Sequence, residues 1–436
     1  MLNNTPHTPF HPLRLVMTAA HGGSSSEKVP LGGGAAICER LCREWAGDAR
    51  LNITLLAPGK TPPPGINYKR LDVLGDRAPS EISTWAYARF CRDFEKRLTE
   101  EILRLRPDVV LTHDLSEGPN YTLLQRYGIP CIPIYHVDVV NFFCQMYLHS
   151  LISPRRAEDW WSYLRPYPIV PDVLRLVFDK QADTVRSCPF LIVPSEEMRS
   201  VLIDTYPDLP MSHVQVVPWG SPKLDITEED IATQVQALNA KYNLEPTRKV
   251  VVTLSRISPE KGQDRLLEAL IESEKDPTFK SDFTLFICGR GAFMGGESFY
   301  RHLQSLARRL RRVQVIFPGH LGGVHKAAML RRADVFVSAS RHESYGLTTM
   351  EAMLQRTAVV ALDTAGTRQT VTDACALVVP NSGDVHRGLC QALTRVLNDD
   401  DLREHLAQNA LQRARTITFS GAAERIYELL KCAARK

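Results

Sequence analysis

The run Asp334-Val-Phe-Val-Ser-Ala-Ser340, continued by Arg341-His-Glu-Ser-Tyr-Gly-Leu-Thr-Thr-Met-Glu-Ala-Met353, changes its period midway. The first part alternates and reads as a buried strand; a short polar loop follows, and from Gly346 to Gln355 the residues favour a helix. In open α/β sheets, loops at the carboxyl ends of strands hold ligands, and a helix N-terminus offers unpaired N–H groups to a phosphate. Glu343 in the loop and Glu351 one turn into the helix flank that position, each able to accept hydrogen bonds from ligand hydroxyls. A sugar nucleotide, with hydroxyls on both sides of a diphosphate, has this layout. A plainer account uses the same residues: Thr348-Thr-Met-Glu351 has capping-box spacing, and Glu343 alone reads as a solvated loop charge.

Outward from this stretch the strand–helix alternation repeats. Upstream, Lys249-Val-Val-Val-Thr-Leu254 is a strand, followed by Ser255-Arg-Ile-Ser-Pro-Glu-Lys-Gly262 and a helix from Asp264. This sets Arg256, a planar fork, and Lys261, a point charge, where both can clamp a diphosphate. Phe283–Cys288 is the next strand, ending in Gly289-Arg-Gly291, and Val313–Phe317 leads to Pro318-Gly-His-Leu321. The segment between, Tyr300 to Arg312, carries only basic charges and reads as a solvated helix face, with a surface for anionic lipid as the other use of such a helix. Downstream come the strand Ala358–Leu362 and the loop Gly366-Thr-Arg-Gln-Thr370. Asp399-Asp-Asp401 precedes a helix and reads as a cap rather than a metal site.

The N-terminal half repeats the pattern more loosely. Leu13–Thr18 is a strand, then a loop from His21 runs to Gly33 and Gly34, and a helix begins near Ala35 with Ile37, Leu41 and Trp45 on one face. Further strands are Asn52–Leu56, Pro107–Thr112 ending at His113, and Ile129 to Tyr135 ending at His136, with a long helix from Ser83 to Arg106. A lone histidine at a strand end is most often a satisfied polar residue. The stretch 139–179 is aromatic and interrupted by prolines; it reads as core plus a wall of an acceptor pocket, with a membrane-facing surface as the other use of such residues. Leu191–Ser195 and Val214–Pro218 close this half, and Thr227–Tyr242 is a polar helical connector.

These motifs together resemble retaining nucleotide-sugar glycosyltransferases of family four, of the GT-B fold class, whose signature has Glu, seven residues and Glu, with Phe or Tyr and Gly-Leu between. Glu343, Tyr345, Gly346, Leu347 and Glu351 occupy those places, Ala352-Met353 follow as is usual, and Arg256 to Gly262 is similar to the family's Arg and Pro-Glu-Lys-Gly loop. The resemblance implies an α/β fold of two doubly wound Rossmann-like domains facing across a cleft. Residues 1–222 would form the acceptor side, 223–245 a connector and 246–418 the nucleotide-sugar side, with a helix over 419–436 packing back on the first domain. It implies that Arg256 and Lys261 bind the diphosphate, Glu351 the ribose, and Glu343 with Ser344, Tyr345, Gly346 and Leu347 the sugar. Gly289 and Leu321 would lie at the nucleotide end, Gly33 and Gly34 beside the phosphates, His136 beside the donor sugar and His113 on the acceptor side. Family members usually have Glu where Gln369 stands, which leaves one donor contact open.

The activity implied is metal-independent hexosyl transfer with retention, from a nucleotide-diphosphate sugar to a hydroxyl acceptor, with no cofactor beyond the co-substrate. A UDP-sugar is the first choice of donor, base and sugar being left open. The acceptor is also open among glycan, lipid-linked glycan, lipid and small metabolite. A GT-B epimerase or phosphorylase, and a non-catalytic sugar-nucleotide-binding subunit, are the competing readings; the presence of Arg256, Lys261, Glu343, Glu351 and His136 together favours an enzyme. A chain of 436 residues with 44% hydrophobic content can bury two cores, and a net charge of +4 is too small to imply nucleic acid. Ten cysteines without a paired framework suit a reducing cytosol. The N-terminus lacks signal-peptide character and no run reaches membrane-span length, so the expectation is a cytoplasmic protein with at most peripheral contact at a membrane's inner face.

Overall fold

The computed structural model describes residues 11–23, 33–73, 84–167, 170–221, 226–276, 282–291 and 296–435. The predicted loop residues Ser24 to Gly32 lie outside them. The first half runs β1 (Leu13–Thr18), α1 (Gly33–Glu44), β2 (Leu51–Ala57), β3 (Asn67–Arg70), α2 (Thr84–Leu105), β4 (Val109–Thr112), α3 (Tyr121–Arg126), β5 (Cys131–Pro133), α4 (Val139–Met146), α5 (Pro154–Leu164), α6 (Asp172–Ser187), β6 (Leu191–Val193), α7 (Glu196–Thr205) and β7 (Val214–Val216). The second continues with α8 (Glu228–Tyr242), β8 (Lys249–Leu254), α9 (Gln263–Ser273), β9 (Phe283–Cys288), α10 (Gly296–Ala307), β10 (Gln314–Gly319), α11 (Gly323–Arg332), β11 (Val335–Ser338), α12 (Leu347–Leu354), β12 (Ala358–Leu362), α13 (Ala365–Thr370), β13 (Ala376–Val379), α14 (Val385–Asn398), α15 (Asp400–Thr416) and α16 (Phe419–Ala434).

Both sheets are parallel and share one order. The first is β3-β2-β1-β4-β5, extended through the Ile134–Ile192 bridge to the pair β6-β7; the second is β10-β9-β8-β11-β12-β13. Strands covered on both faces by helices must be apolar throughout, and β9 and β12 are buried at every residue. In this doubly wound order the chain reverses direction between the first and fourth strands, so the crevices for ligands open between β1 and β4 and between β8 and β11. Those are the loops that the sequence singles out.

The aromatic stretch folds as α4, α5 and α6, with Val140, Cys144, Ala157, Trp161 and Phe178 forming a small core of their own. Trp161 stacks on Phe178 with ring centroids 5.1 Å apart and donates its indole N–H to Asp179 at 2.8 Å. Trp160, Tyr163 and Tyr167 face solvent instead. The basic segment is helical only to Ala307; beyond it the Glu274 carboxylate collects the backbone N–H groups of Arg311, Arg312 and Val313 at 2.7–3.0 Å. Asp399 caps α15 by accepting from the Leu402 N–H at 2.8 Å. Among the described residues no helix is long and apolar enough to cross a membrane.

The chain crosses between the halves at Gly220-Ser221 and again at Ile417-Thr418. The Ser221 N–H donates to the Ile417 carbonyl at 2.8 Å, the Phe419 N–H to the Ser221 carbonyl at 3.0 Å, and the Gly220 N–H to the Tyr345 hydroxyl at 2.8 Å. Helix α16 then packs on α1 and β4 of the first half. One hydrophobic cluster joins Leu15, Leu55 and Trp219 to Val250, Phe336, Tyr345 and Ile426, so the halves share a core.

Gly220 adopts φ +66°, and a β-carbon there would lie 2.6 Å from the Thr418 carbonyl carbon. Gly128 has φ +70° with nothing among the described residues within 4 Å of such a carbon. Gly128→Ala is therefore expected to cost about 1 kcal/mol of backbone strain, and Gly220→Ala at least ~2 kcal/mol more because two backbone crossings must separate. Urea denaturation of both variants checks this.

Candidate active site between the two sheets

In the first half, the ends of β1 and β4 are locked by the His113 N–H donating to the Thr18 carbonyl at 3.0 Å and the Ala20 N–H donating to the Asp114 carboxylate at 2.6 Å. Helix α1 starts at Gly33, two residues earlier than the sequence suggests, so both glycines belong to its first turn. A β-carbon on Gly34 would come within 2.9 Å of the His136 ring and 3.4 Å of the His113 carbonyl, so this helix end sits directly on the histidines. The His113 and His136 rings stack at 5.5 Å with 9° between planes, Nδ1 of the first lies 3.3 Å from Nε2 of the second, and the Trp219 ring lies against His136 with centroids 5.7 Å apart. Burial pushes the His136 imidazole down to about 3; burial and its neighbour push His113 well below the ordinary value. Both are neutral rings.

In the second half the loops after β8 and β11 are tied into one wall. Arg341 forms a two-pronged pair with Asp264, both contacts at 2.7 Å, and its N–H donates to the Glu260 carbonyl at 2.8 Å. Gln263 donates to the Arg256 carbonyl and the Ser255 hydroxyl at 2.8 Å, and Arg256 reaches Glu260 at 3.4 Å. On this wall the Lys261 ammonium donates to Glu343 at 2.8 Å, with the Ser340 hydroxyl 3.4 Å from the same oxygen. Burial pushes the Glu343 carboxyl up, but the Lys261 charge and hydrogen bond, with His342 and the Gly346 N–H, outweigh it and hold the group ionised.

Glu351 is not part of a capping box. Helix α12 has Gly346 as its N-cap, in the left-handed region, without a side-chain cap. The carboxylate is instead buried at 5% exposure, one oxygen receiving both the Arg40 guanidinium at 2.6 Å and the Lys326 ammonium at 2.9 Å. Burial pushes its carboxyl pKa up, and the two cations, Lys326 and then Arg40, overcome that and hold it below the usual carboxylate range. Gly33 faces this helix: a β-carbon on it would lie 3.9 Å from the Leu347 methyl, so the N-termini of α1 and α12 meet across the cleft.

The remaining predicted residues distribute unevenly. Ser344 and Gly346 lie in the same loop, braced by the Gly366 N–H donating to the Glu343 carbonyl at 2.8 Å. Tyr345 differs from expectation: its side chain is buried and bonded to Gly220, leaving only its backbone for a ligand. Gly289 is pinned at the end of β9 by its N–H donating to the Gly319 carbonyl at 2.8 Å, and Leu321 packs partly against the shared core. Gln369 holds Arg413 through its main-chain carbonyl at 3.1 Å.

Sequence reading missed Arg40, Lys326 and His342. Arg40 and Lys326 pair with Glu351 across 311 and 25 positions, a separation that carries no local signal. His342, one residue before Glu343, has Nδ1 2.7 Å from the Gln145 side-chain oxygen and meets the Phe142 ring edge-on at 5.5 Å, so α4 closes over the loop. Burial and then Lys261 push His342 down to about 4.

Two parallel-sheet, Rossmann-like halves with facing loops at both switch points define the GT-B class. A solved structure of sucrose-phosphate synthase from Thermosynechococcus elongatus superposes with a TM-score of 0.73 over 96% of this chain and 98% of that one; at 17% identity it speaks for the fold alone. Residues 31–221 match the model "Glycosyltransferase Family 4" and residues 234–413 the model "Glycosyl transferases group 1", so the chain belongs to the family-four-like GT-B glycosyltransferases. The D-inositol 3-phosphate glycosyltransferase of Salinispora arenicola is 30% identical over 74% of this chain and 68% of its own length. The protein of the same name from Corynebacterium diphtheriae is 28% identical over 56% of each chain. For the first relatives found the chain spans between 56% and 61% of their length.

Two outcomes test this geometry. Lys261→Met leaves Glu343 buried without its cation and is expected to cost about 3–5 kcal/mol, whereas Lys261→Met combined with Glu343→Leu recovers most of that; chemical denaturation of the single and double variants measures the difference. The histidines set a pH slope. Their ordinary value is 6.5, and in the folded chain they stay neutral far below it. The unfolded chain therefore binds protons that the folded chain refuses, and stability falls as pH drops from about 6.5 towards 4. His136→Asn should flatten that slope by about 1.4 kcal/mol per pH unit, one proton's worth, in denaturation curves taken across this window.

Proposed function

We propose that this protein transfers a hexosyl group from a nucleotide-diphosphate sugar, with a UDP-sugar as first choice, to a hydroxyl acceptor, retaining the configuration at the anomeric carbon. The observation that carries the reading is the facing arrangement at the two switch points. One side presents two ionised carboxylates, each paired with a lysine, and the other presents a helix N-terminus against a pair of neutral histidines.

In this reading Glu351 accepts from the ribose hydroxyls, Arg256 and Lys261 hold the diphosphate, and Glu343 with the backbone of Ser344 to Leu347 accepts and donates to the sugar. Gly289 and Leu321 border the nucleobase. The bond from the anomeric carbon to the diphosphate oxygen breaks while the acceptor oxygen bonds to that carbon on the same face, and the acceptor's proton passes to the departing phosphate oxygen. Negative charge that builds on the diphosphate is met by Lys261, Arg256 and the two helix N-termini, so the reading requires neither a metal ion nor a further cofactor. His136, with no charge of its own, can only orient sugar hydroxyls by hydrogen bonds, and His113 supports it from the acceptor side. Helix α4 supplies the wall on which the acceptor would rest.

Relatives named for inositol 3-phosphate make a phosphorylated polyol the first acceptor to try. The reading also includes a cytoplasmic protein in peripheral contact with a membrane, supported by Trp160, Tyr163, Leu164 and Tyr167, each at least half exposed on or next to α5.

Thermal denaturation with UDP, GDP and ADP and their sugar conjugates should show one nucleotide raising the melting temperature, since a ligand that binds only the folded state must stabilise it. Glu351→Ala should abolish that rise. Lys261→Ala should lower turnover by roughly 10²–10³-fold, as loss of a charge-stabilising donor does elsewhere. Transfer followed by NMR should give a product with the donor's anomeric configuration and a rate unchanged by EDTA. An inverted product would overturn the mechanism, and a chain unmoved by every nucleotide would overturn the donor site itself.

A further inference from the structure

The Arg40–Glu351 contact is made with only half of each group. Guanidinium and carboxylate pair best as two parallel hydrogen bonds, fork to fork. Here only Nη2 of Arg40 reaches Glu351, and it reaches the same oxygen, Oε1, that Lys326 already occupies. The other oxygen, Oε2, and the other amino group, Nη1, are both buried and have no hydrogen-bond partner among the described residues. An orphaned donor and an orphaned acceptor on one ion pair are each costly, and a contact serving only to clasp the two halves would have satisfied them on each other. The side chains are 17% and 5% exposed, so bulk water does not satisfy them either.

We infer that Arg40, on α1 of the first half, is a nucleotide-recognising residue that reads the ribose together with Glu351. The inference rests on the reading that Glu351 accepts from the ribose. One ribose hydroxyl donates to Oε2, and that hydroxyl or its neighbour accepts from Nη1, so the ion pair presents one donor and one acceptor to a diol that is itself both. Lys326 keeps Oε1 occupied and turns Oε2 towards the ligand. Because Arg40 and Glu351 stand on opposite halves, the ribose is then held by both, and a nucleotide whose sugar lacks a hydroxyl engages only part of the pair. The recognition extends along α1 the site whose phosphate end is marked by Gly33 and Gly34, two turns earlier on the same helix.

The test is discrimination between ribose and deoxyribose. Titration calorimetry compares the nucleoside diphosphate that binds with its 2′-deoxy and 3′-deoxy counterparts, on the wild type, Arg40→Lys and Arg40→Met. Lysine keeps a cation against Oε1 but has no second arm; methionine keeps the length and removes the charge. The wild type is expected to bind at least one deoxy form about tenfold more weakly or worse, as a site built around a hydroxyl rejects the analogue that lacks it. In Arg40→Lys the ribonucleotide should weaken about tenfold while that deoxy form binds as it does to the wild type, so the preference collapses; Arg40→Met should lose the preference too. Equal preference in the wild type and Arg40→Lys overturns the inference and leaves the donor site standing, as does equal weakening of ribo- and deoxynucleotide in both variants, which marks Arg40 as a clasp alone. Failure of the wild type to bind any nucleotide overturns the donor-site reading, and this inference with it.

Discussion

A carboxylate buried in the cleft must find a cation, and much of this protein's central architecture follows from how Glu343 and Glu351 do so. Moving an ion out of water costs several kcal/mol even after relaxation, so both groups would bind a proton unless positive charge stood beside them. Glu343 finds Lys261 on the adjacent loop of the same sheet. Glu351 finds Lys326 on the neighbouring helix and Arg40 on the other half of the molecule. The first pair fixes the shape of one wall, and the second fixes where the opposite wall stands.

That opposite wall is held from several directions at once. The Tyr345 hydroxyl takes the Gly220 N–H, Ser221 pairs with Ile417 and Phe419, and α16 returns to pack on α1 and β4. Gln145 of α4 reaches His342 over the top of the cleft. The loop from Arg341 to Gly346 is thereby gripped on three sides: by Asp264 and Glu260 from its own half, by Gly366 behind it, and by Gly220 and Gln145 from the other half. A loop so constrained loses little entropy when a ligand arrives, which is the condition for preorganised binding and for electrostatic stabilisation of developing charge. Desolvation keeps the stacked His113 and His136 rings uncharged, so the cleft's positive charge stays on the lysines and arginines.

Much of the fold was legible because its signals are local. The apolar runs at Lys249–Leu254, Phe283–Cys288 and Ala358–Leu362 are strands with those bounds, and each site motif sits at a strand's carboxyl end. Where the sequence misled, a distant partner had intervened. Thr348 to Glu351 has the spacing of a capping box, yet Glu351 is drawn off by Arg40 and Lys326, and Gly346 caps the helix by backbone conformation alone. Tyr345 sits in the middle of the stretch from Glu343 to Glu351, yet its ring went to the crossing between the halves. The aromatic stretch gave no clear period because its apolar residues serve two surfaces, a small core around Trp161 and an exposed face carrying Trp160 and Tyr163.

The sequence by itself determined the class: hydrophobic period, turn glycines and charged loops at fixed offsets are short-range features, and they specify two parallel α/β halves with charged and glycine-bearing loops at their switch points. The tertiary structure alone decided how those halves complete one another. That Arg40 serves Glu351, that Gly34 lies against His136 and that Gln145 meets His342 depend on contacts between residues up to 311 positions apart. Such pairs carry no periodicity and are fixed only when two finished sheets dock through a shared core.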